Sequence, residues 1–180
     1  MACDISKGRA EVCKDSIGGL RNIYFVNFDP TITYTFDAIN TDAIEAVSGT
    51  PTLHKYELKS DDSTFIQTTN SDRNAGTSFE SQELAITLKK LTVESHREIK
   101  LLIFGRTNVV IEDNNSNFFL MGIDFGAEVT GGTTVTGGAK GDLSGYTLTL
   151  VAEEKTKANF FEATTEAGLL SAGYGSVVTG

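Results

Sequence analysis

The chain has no tryptophan, two prolines, two cysteines and two histidines in 180 residues. Each shortage narrows the function. Glycan-binding surfaces rely on exposed aromatic faces, so the absence of Trp, with only five Tyr, weighs against a small carbohydrate-recognising β-sandwich. A Ser or Cys nucleophile needs a nearby base, and His54 and His96 are the two histidines on offer. Neither lies in a catalytic motif such as GxSxG. Cys3 and Cys13, with nine residues between them, fit neither a CxxC redox motif nor paired zinc-ligand spacing. They read as free thiols; the alternative, one disulfide closing a short loop, would be kept reduced inside a cell. Basic charge is also short, at 15 Lys and Arg against 24 Asp and Glu. The resulting net charge of −9 argues against a surface that grips phosphates. Apolar runs such as Leu101 to Phe104 are far too short to span a bilayer. Met1 to Arg9 mixes charges where a signal peptide would need an apolar core.

The remaining chemistry-bearing clusters are explained by turns and strand ends. Asp61-Asp62 and Glu112-Asp113-Asn114-Asn115 lack the EF-hand pattern. Gly18-Gly19 and Gly137-Gly138-Ala139-Lys140-Gly141-Asp142 lack the ordered glycines and Lys-Ser/Thr of a phosphate loop. Glu153-Glu154 would point to opposite faces of a strand and is expected at a solvated strand end. The expectation is a non-enzyme with no catalytic, cofactor or metal site.

What is present is alternation. Ile32, Tyr34 and Phe36 alternate with threonines; Leu84, Ile86 and Leu88 with Ala85, Thr87 and Lys89; Tyr146, Leu148 and Leu150 with Thr147 and Thr149. Each predicts a half-buried strand. Leu53 to Lys59 and Ser63 to Thr69, flanking a polar turn, predict a hairpin. Asn108 to Glu112 and Asn117 to Ile123 predict another, whose Phe118-Phe119-Leu120-Met121 is apolar on both faces and so central. Thr92 to Phe104 predicts a helix, capped by Thr92 and ended by Gly105, with Ile99, Leu102 and Ile103 as its stripe. Asn40 to Val47 is a weaker helix candidate. Eight glycines between Gly122 and Gly145 predict turn-rich backbone. The chain divides into an N-terminal arm (1–19), a β-sandwich or barrel body (20–162) and a Gly-rich tail (163–180). The tail is expected to be flexible, or ordered only by assembly.

Taken in order, Met1-Ala2-Cys3-Asp4-Ile5, Gly8-Arg9, Cys13-Lys14-Asp15, Gly18-Gly19-Leu20, Tyr56-Glu57-Leu58, Gly76-Thr77, Leu88-Lys89-Lys90-Leu91 and Gly141 through Thr149 resemble virion proteins of tailed bacteriophages, and among them the major tail tube protein. The resemblance runs from Met1 to about Phe161. It implies a mainly β fold, an antiparallel sandwich or barrel with one flanking helix. It also implies six copies per ring, stacked rings, and inner strands joined into one barrel around a DNA channel. The partners would be the chain itself, other tail or neck proteins, and DNA as cargo that slides past an acidic lumen without sticking. The place would be the virion tail, assembled in the host cytoplasm, with no membrane involved. A capsid decoration, neck or tail-completion protein is the alternative.

A physical argument runs beside this. Arms and tails that cannot repay their ordering cost within one chain find partners in neighbouring copies, as do unpaired strand edges. The candidate intersubunit residues are Arg9, Lys14 and Leu20 from the arm and its junction, and Asn70, Asp72, Arg73 and Asn74 from the polar connection Thr69 to Phe79.

Overall fold

The computed structural model describes residues 7–58 and 62–179. Over these described residues the chain is mainly β, with two sheets and two helices. In order they are β1 (Leu20–Asn27), β2 (Tyr34–Phe36), β3 (Ala43–Val47), β4 (Thr52–Glu57), β5 (Thr64–Asp72), β6 (Thr77–Lys89), α1 (Val93–Phe104) and β7 (Thr107–Asp113). There follow β8 (Phe118–Met121), β9 (Glu128–Val135), β10 (Gly145–Glu154), β11 (Asn159–Phe161), α2 (Glu166–Ser171) and β12 (Ser176–Thr179). The larger sheet runs β12-β4-β1-β7-β8-β11-β3-β2, and the smaller runs β5-β6-β10-β9.

The larger sheet is apolar on both faces, which determines the layering. Along β1, Ile23 and Phe25 face the smaller sheet, while Tyr24 and Val26 face the other way. β7 and β8 do the same, with Val109, Ile111 and Met121 in the first core and Val110, Phe118 and Leu120 in the second. The first core is closed by Leu84, Ile86, Tyr146, Leu148 and Leu150 of the smaller sheet, together with Ile99 of α1. The second is closed by Ile44, Leu53 and Phe161, and by Leu169 and Tyr174 from the C-terminal segment.

Several expectations hold. β6 and β10 present the predicted alternation, the β7–β8 hairpin is formed, and β8 is central and covered on both sides. α1 begins at Thr92, whose side chain accepts from Ser95 N–H, and ends at Gly105. Others are corrected. β4 and β5 do not pair: β4 lies between β1 and β12, and β5 edges the other sheet. Residues 59–61 between them lie outside the described residues. Asn40 to Val47 holds strand β3 instead of a helix, because Ile44 and Val47 complete the second core while the backbone pairs with β2 and β11. The strand expected from Thr31 starts only at Tyr34, since the Asp29 carboxylate holds Thr31 N–H and hydroxyl in a turn. The glycine-rich stretch contains β9. The sheets are not wholly antiparallel, for β11–β3 and β12–β4 are parallel, and a second helix is present.

The largest correction concerns the tail. Residues 163–180 were expected to have little to bury, yet Leu169 is fully buried and Tyr174 nearly so. Thr165 caps α2 by accepting from Gly168 N–H, and β12 pairs with β4. Lys55 Nζ lies 2.9 Å from Glu166, and the Tyr24 hydroxyl stands 3.0 Å from Glu166 and 3.2 Å from Glu112, its one proton shared between two carboxylates. Lys55 and the Tyr24 hydroxyl hold the Glu166 carboxyl below its ordinary range. Leu169→Ala should therefore cost roughly 2–5 kcal/mol in urea unfolding, whereas Leu170→Ala, at a partly exposed neighbour, should cost much less. Equal and negligible losses would mean that the tail does not close the core.

Candidate assembly surface

The smaller sheet has a finished inner face and an unfinished perimeter. Its four strands are each antiparallel to the next, so the outer strands β5 and β9 run in opposite directions, and each leaves one side of its backbone unpaired. β5 is straight over nine registered pairs with β6. β9 carries a bulge, since Val129 pairs with Leu150 and Gly131 with Thr149, leaving Thr130 as the extra residue.

The outer face of this sheet is hydroxyl-rich and acidic. The alternate positions opposite the core bring out Thr64, Ile66 and Thr68 on β5, Phe79, Glu83 and Thr87 on β6, Thr147, Thr149, Val151 and Glu153 on β10, and Thr133 and Glu128 on β9, with Ile66 and Phe79 exposed. Thr133 and Thr147 hydroxyls meet at 2.6 Å across the pair. Lys89 is the cation on this face among the described strand residues, against Asp72, Glu83, Glu128 and Glu153. The inner face changes character toward the end away from α1. There Glu80, Gln82 and Glu154 are buried, and each is met by protein donors or acceptors. Thr69 donates to Glu80 at 2.8 Å; Gln82 accepts from Gly122 N–H and donates to Thr156 C=O; Glu154 accepts from Asp124 and Phe125 N–H at 3.1 and 2.9 Å.

Gly122 is where the two sheets are tied together. Its φ is +75°, and a Cβ there would fall 2.7 Å from the Gly126 backbone, so no other residue closes this turn without displacement. Its carbonyl accepts from Asn108 Nδ2 and Gly126 N–H. Glu154, expected at a solvated strand end, instead pins the same turn. Adjacent strand residues do point to opposite faces, and here one face is covered by the 122–126 turn.

The sequence-predicted interface residues fall into two groups. Asn70, Asp72, Arg73 and Asn74 lie together at the exposed end of the β5–β6 hairpin, where the Asp72 carboxylate accepts from Asn74 N–H at 2.7 Å. The expected connection is shorter than Thr69 to Phe79, because both strands continue into it. Arg9 and Lys14 lie in an exposed segment without helix or strand. Leu20 opens β1 and packs against the first core. The root of the arm is held by asparagines of the β7–β8 turn: Asn115 bonds both the N–H and C=O of Ile17, and Asn114 Nδ2 donates to Gly18 C=O. Cys13 is an exposed free thiol; Cys3 lies outside the described residues. The β5 and β9 edges were missed as sites, since an edge is defined by pairing and no residue type signals it.

No family model, curated protein or solved structure matches this chain.

Burial drives the Glu154 carboxyl up from its ordinary range, against the pull of the Phe125 and Asp124 N–H groups. The folded state thus takes up that proton at higher pH than the unfolded chain, so Glu154 penalises folding at neutral pH and the penalty is relieved as pH falls through its raised value. Glu154→Gln keeps an acceptor oxygen for the turn. The unfolding free energy of the parent relative to this variant should rise on acidification from pH 7; a difference independent of pH would refute the assignment.

Proposed function

We propose that the chain is a structural subunit of a tailed-phage virion that polymerises as stacked rings into the tail tube. The observation that carries this reading is the four-stranded sheet with two free edges of opposite direction. If β9 of one copy joins β5 of the next, the new pair is antiparallel and continues the alternation already present. Repetition around an axis then closes a barrel with no unpaired edge left. A two-fold dimer would use one edge twice and leave the other open.

The outer face of the sheet supports the same reading. Closed with its cores outward, such a barrel has a lumen lined by threonines and carboxylates, with Ile66, Phe79 and Val151 among them. DNA phosphates are repelled by that lining and find few cations on which to exchange counterions, so the cargo slides. The arm fits as a connector, because it is anchored at Ile17 and Gly18 and carries the exposed side chains of Val12 and Ile17 beyond the body. The resemblance to tail tube proteins, running from Met1 to about Phe161, points the same way.

Purified protein at high concentration should show rings or hollow tubes in negative stain, and a monodisperse monomer would overturn the reading. Deleting residues 1–19 should leave cooperative unfolding intact while impairing polymerisation; loss of cooperative unfolding would place the arm in the core. Tubes carrying Glu83→Lys and Glu153→Lys should retain DNA at low salt and release it steeply as salt rises, whereas parent tubes should not retain it.

A further inference from the structure

Each flank of the smaller sheet carries a second-layer element with an unfinished surface. Beside β9, α1 turns Ile99 into the first core and Ile103 toward an open cleft of about 250 Å³ lined by Val129 to Thr134. That is smaller than the roughly 300–1,000 Å³ of small-molecule pockets, and suits a protein side chain better than a ligand. At roughly 100° per residue, the solvent side of α1 gathers Val93, Arg97, Lys100, Leu101 and Phe104, with Glu94 at its edge beside Leu101 and Glu98 nearer Tyr56. Val93 and Phe104 are 91% and 89% exposed. Neither Arg97 nor Lys100 has an ion-pair partner among the described residues.

Beside β5, the larger sheet extends past the smaller one. The Phe160 ring is 4.5 Å from Phe119, which in turn lies 6.2 Å from Phe65 beneath β5, so the aromatic row runs out of the core to a half-exposed end. The parallel β3–β11 register sets Phe160 beside Ala43, and therefore puts Glu45 and Glu162 on its face. Asp37 shares a hydrogen bond with Glu162, whose carboxyl is pushed up by that bond and by the charges of Asp37 and Glu45. No Lys or Arg pairs with these three carboxylates among the described residues. One flank thus offers the cations Arg97 and Lys100, the other three carboxylates, and both are apolar at the centre.

We infer that α1 of one copy docks, through Phe104, Leu101, Arg97 and Lys100, on the Phe160 patch of the next copy and its rim of Glu45, Glu162 and Asp37. The inference rests on the self-assembly reading and adds the lateral contact in the second layer. Its occupant follows from placement: α1 borders β9, Phe160 borders β5, and both lie on the core side of the smaller sheet. Joining β9 to β5 brings them together. Patch against patch would oppose carboxylates to carboxylates, whereas Arg97 and Lys100 meet them with the opposite charge, so the charges also favour head-to-tail order.

The test uses full-length protein, sedimentation of assemblies across concentration, and negative stain. Arg97→Glu with Lys100→Glu should raise the concentration needed for assembly by about tenfold or more, with unfolding of the dispersed chain unchanged. Glu45→Lys with Glu162→Lys should do the same. Combining all four changes should restore most of the loss, since the charges are exchanged across the same contact. Assembly at an unchanged threshold in either double variant, or no recovery in the quadruple variant, would overturn this contact while leaving the tube reading standing. A parent chain that never assembles would overturn both.

Discussion

Backbone N–H and C=O groups in a sheet must find partners, and the two sheets of this chain meet that demand differently. The larger sheet ends in two short strands, β2 of three residues and β12 of four. β12 covers β4, the segment after α2 bonds Val47 N–H through Ala172 C=O, and Gly175 N–H reaches Pro51 C=O. Among the described residues, nothing covers β5 or β9 of the smaller sheet in this way. An edge of nine residues left bare invites pairing with another chain, and natural proteins blunt such edges unless pairing is their use. The bulge at Thr130 breaks the β9 edge into two straight stretches, which limits the registers a partner strand can adopt.

Because the larger sheet is apolar on both faces, the chain needs two covers. The first is the smaller sheet with α1. The second is assembled from short pieces far apart in sequence: β3, β11 and the C-terminal segment around Leu169 and Tyr174. This explains why a stretch rich in Ala, Thr, Gly and Ser is built into the fold. Two large apolar side chains, placed by a six-residue helix and held by Lys55 and Tyr24 through Glu166, are enough once a ready-made apolar surface awaits them.

Legibility followed periodicity. Strands with one wet face were readable, as with Leu84, Ile86 and Leu88 or Tyr146, Leu148 and Leu150, because alternation survives only where one face meets water. The helix was readable from its cap and stop residues. β1, an interior strand of the larger sheet, gave no such signal: Ile23-Tyr24-Phe25-Val26 is buried throughout, and a continuous apolar run has no period. β3 was misread as helix since its two buried positions, Ile44 and Val47, stand three residues apart, and pairing with β2 and β11 decided it. Glu154 was misread for a related reason: its burial comes from a turn thirty residues earlier, invisible to a local pattern.

Composition and local chemistry by themselves determined that this chain is β-rich, that its surface is acidic, where α1 starts and stops, and which side chains of β6, β8 and β10 face apolar surroundings. These follow from nearest neighbours in sequence, through side-chain alternation, capping and turn chemistry. Tertiary structure alone decided which strands share a sheet, that the last residues complete a core, and that β5 and β9 are left as edges. The same holds for the collection of Asp37, Glu45 and Glu162 around Phe160 at the opposite flank from Arg97 and Lys100. Pairing and burial depend on which distant surfaces meet, and that is a property of the folded whole.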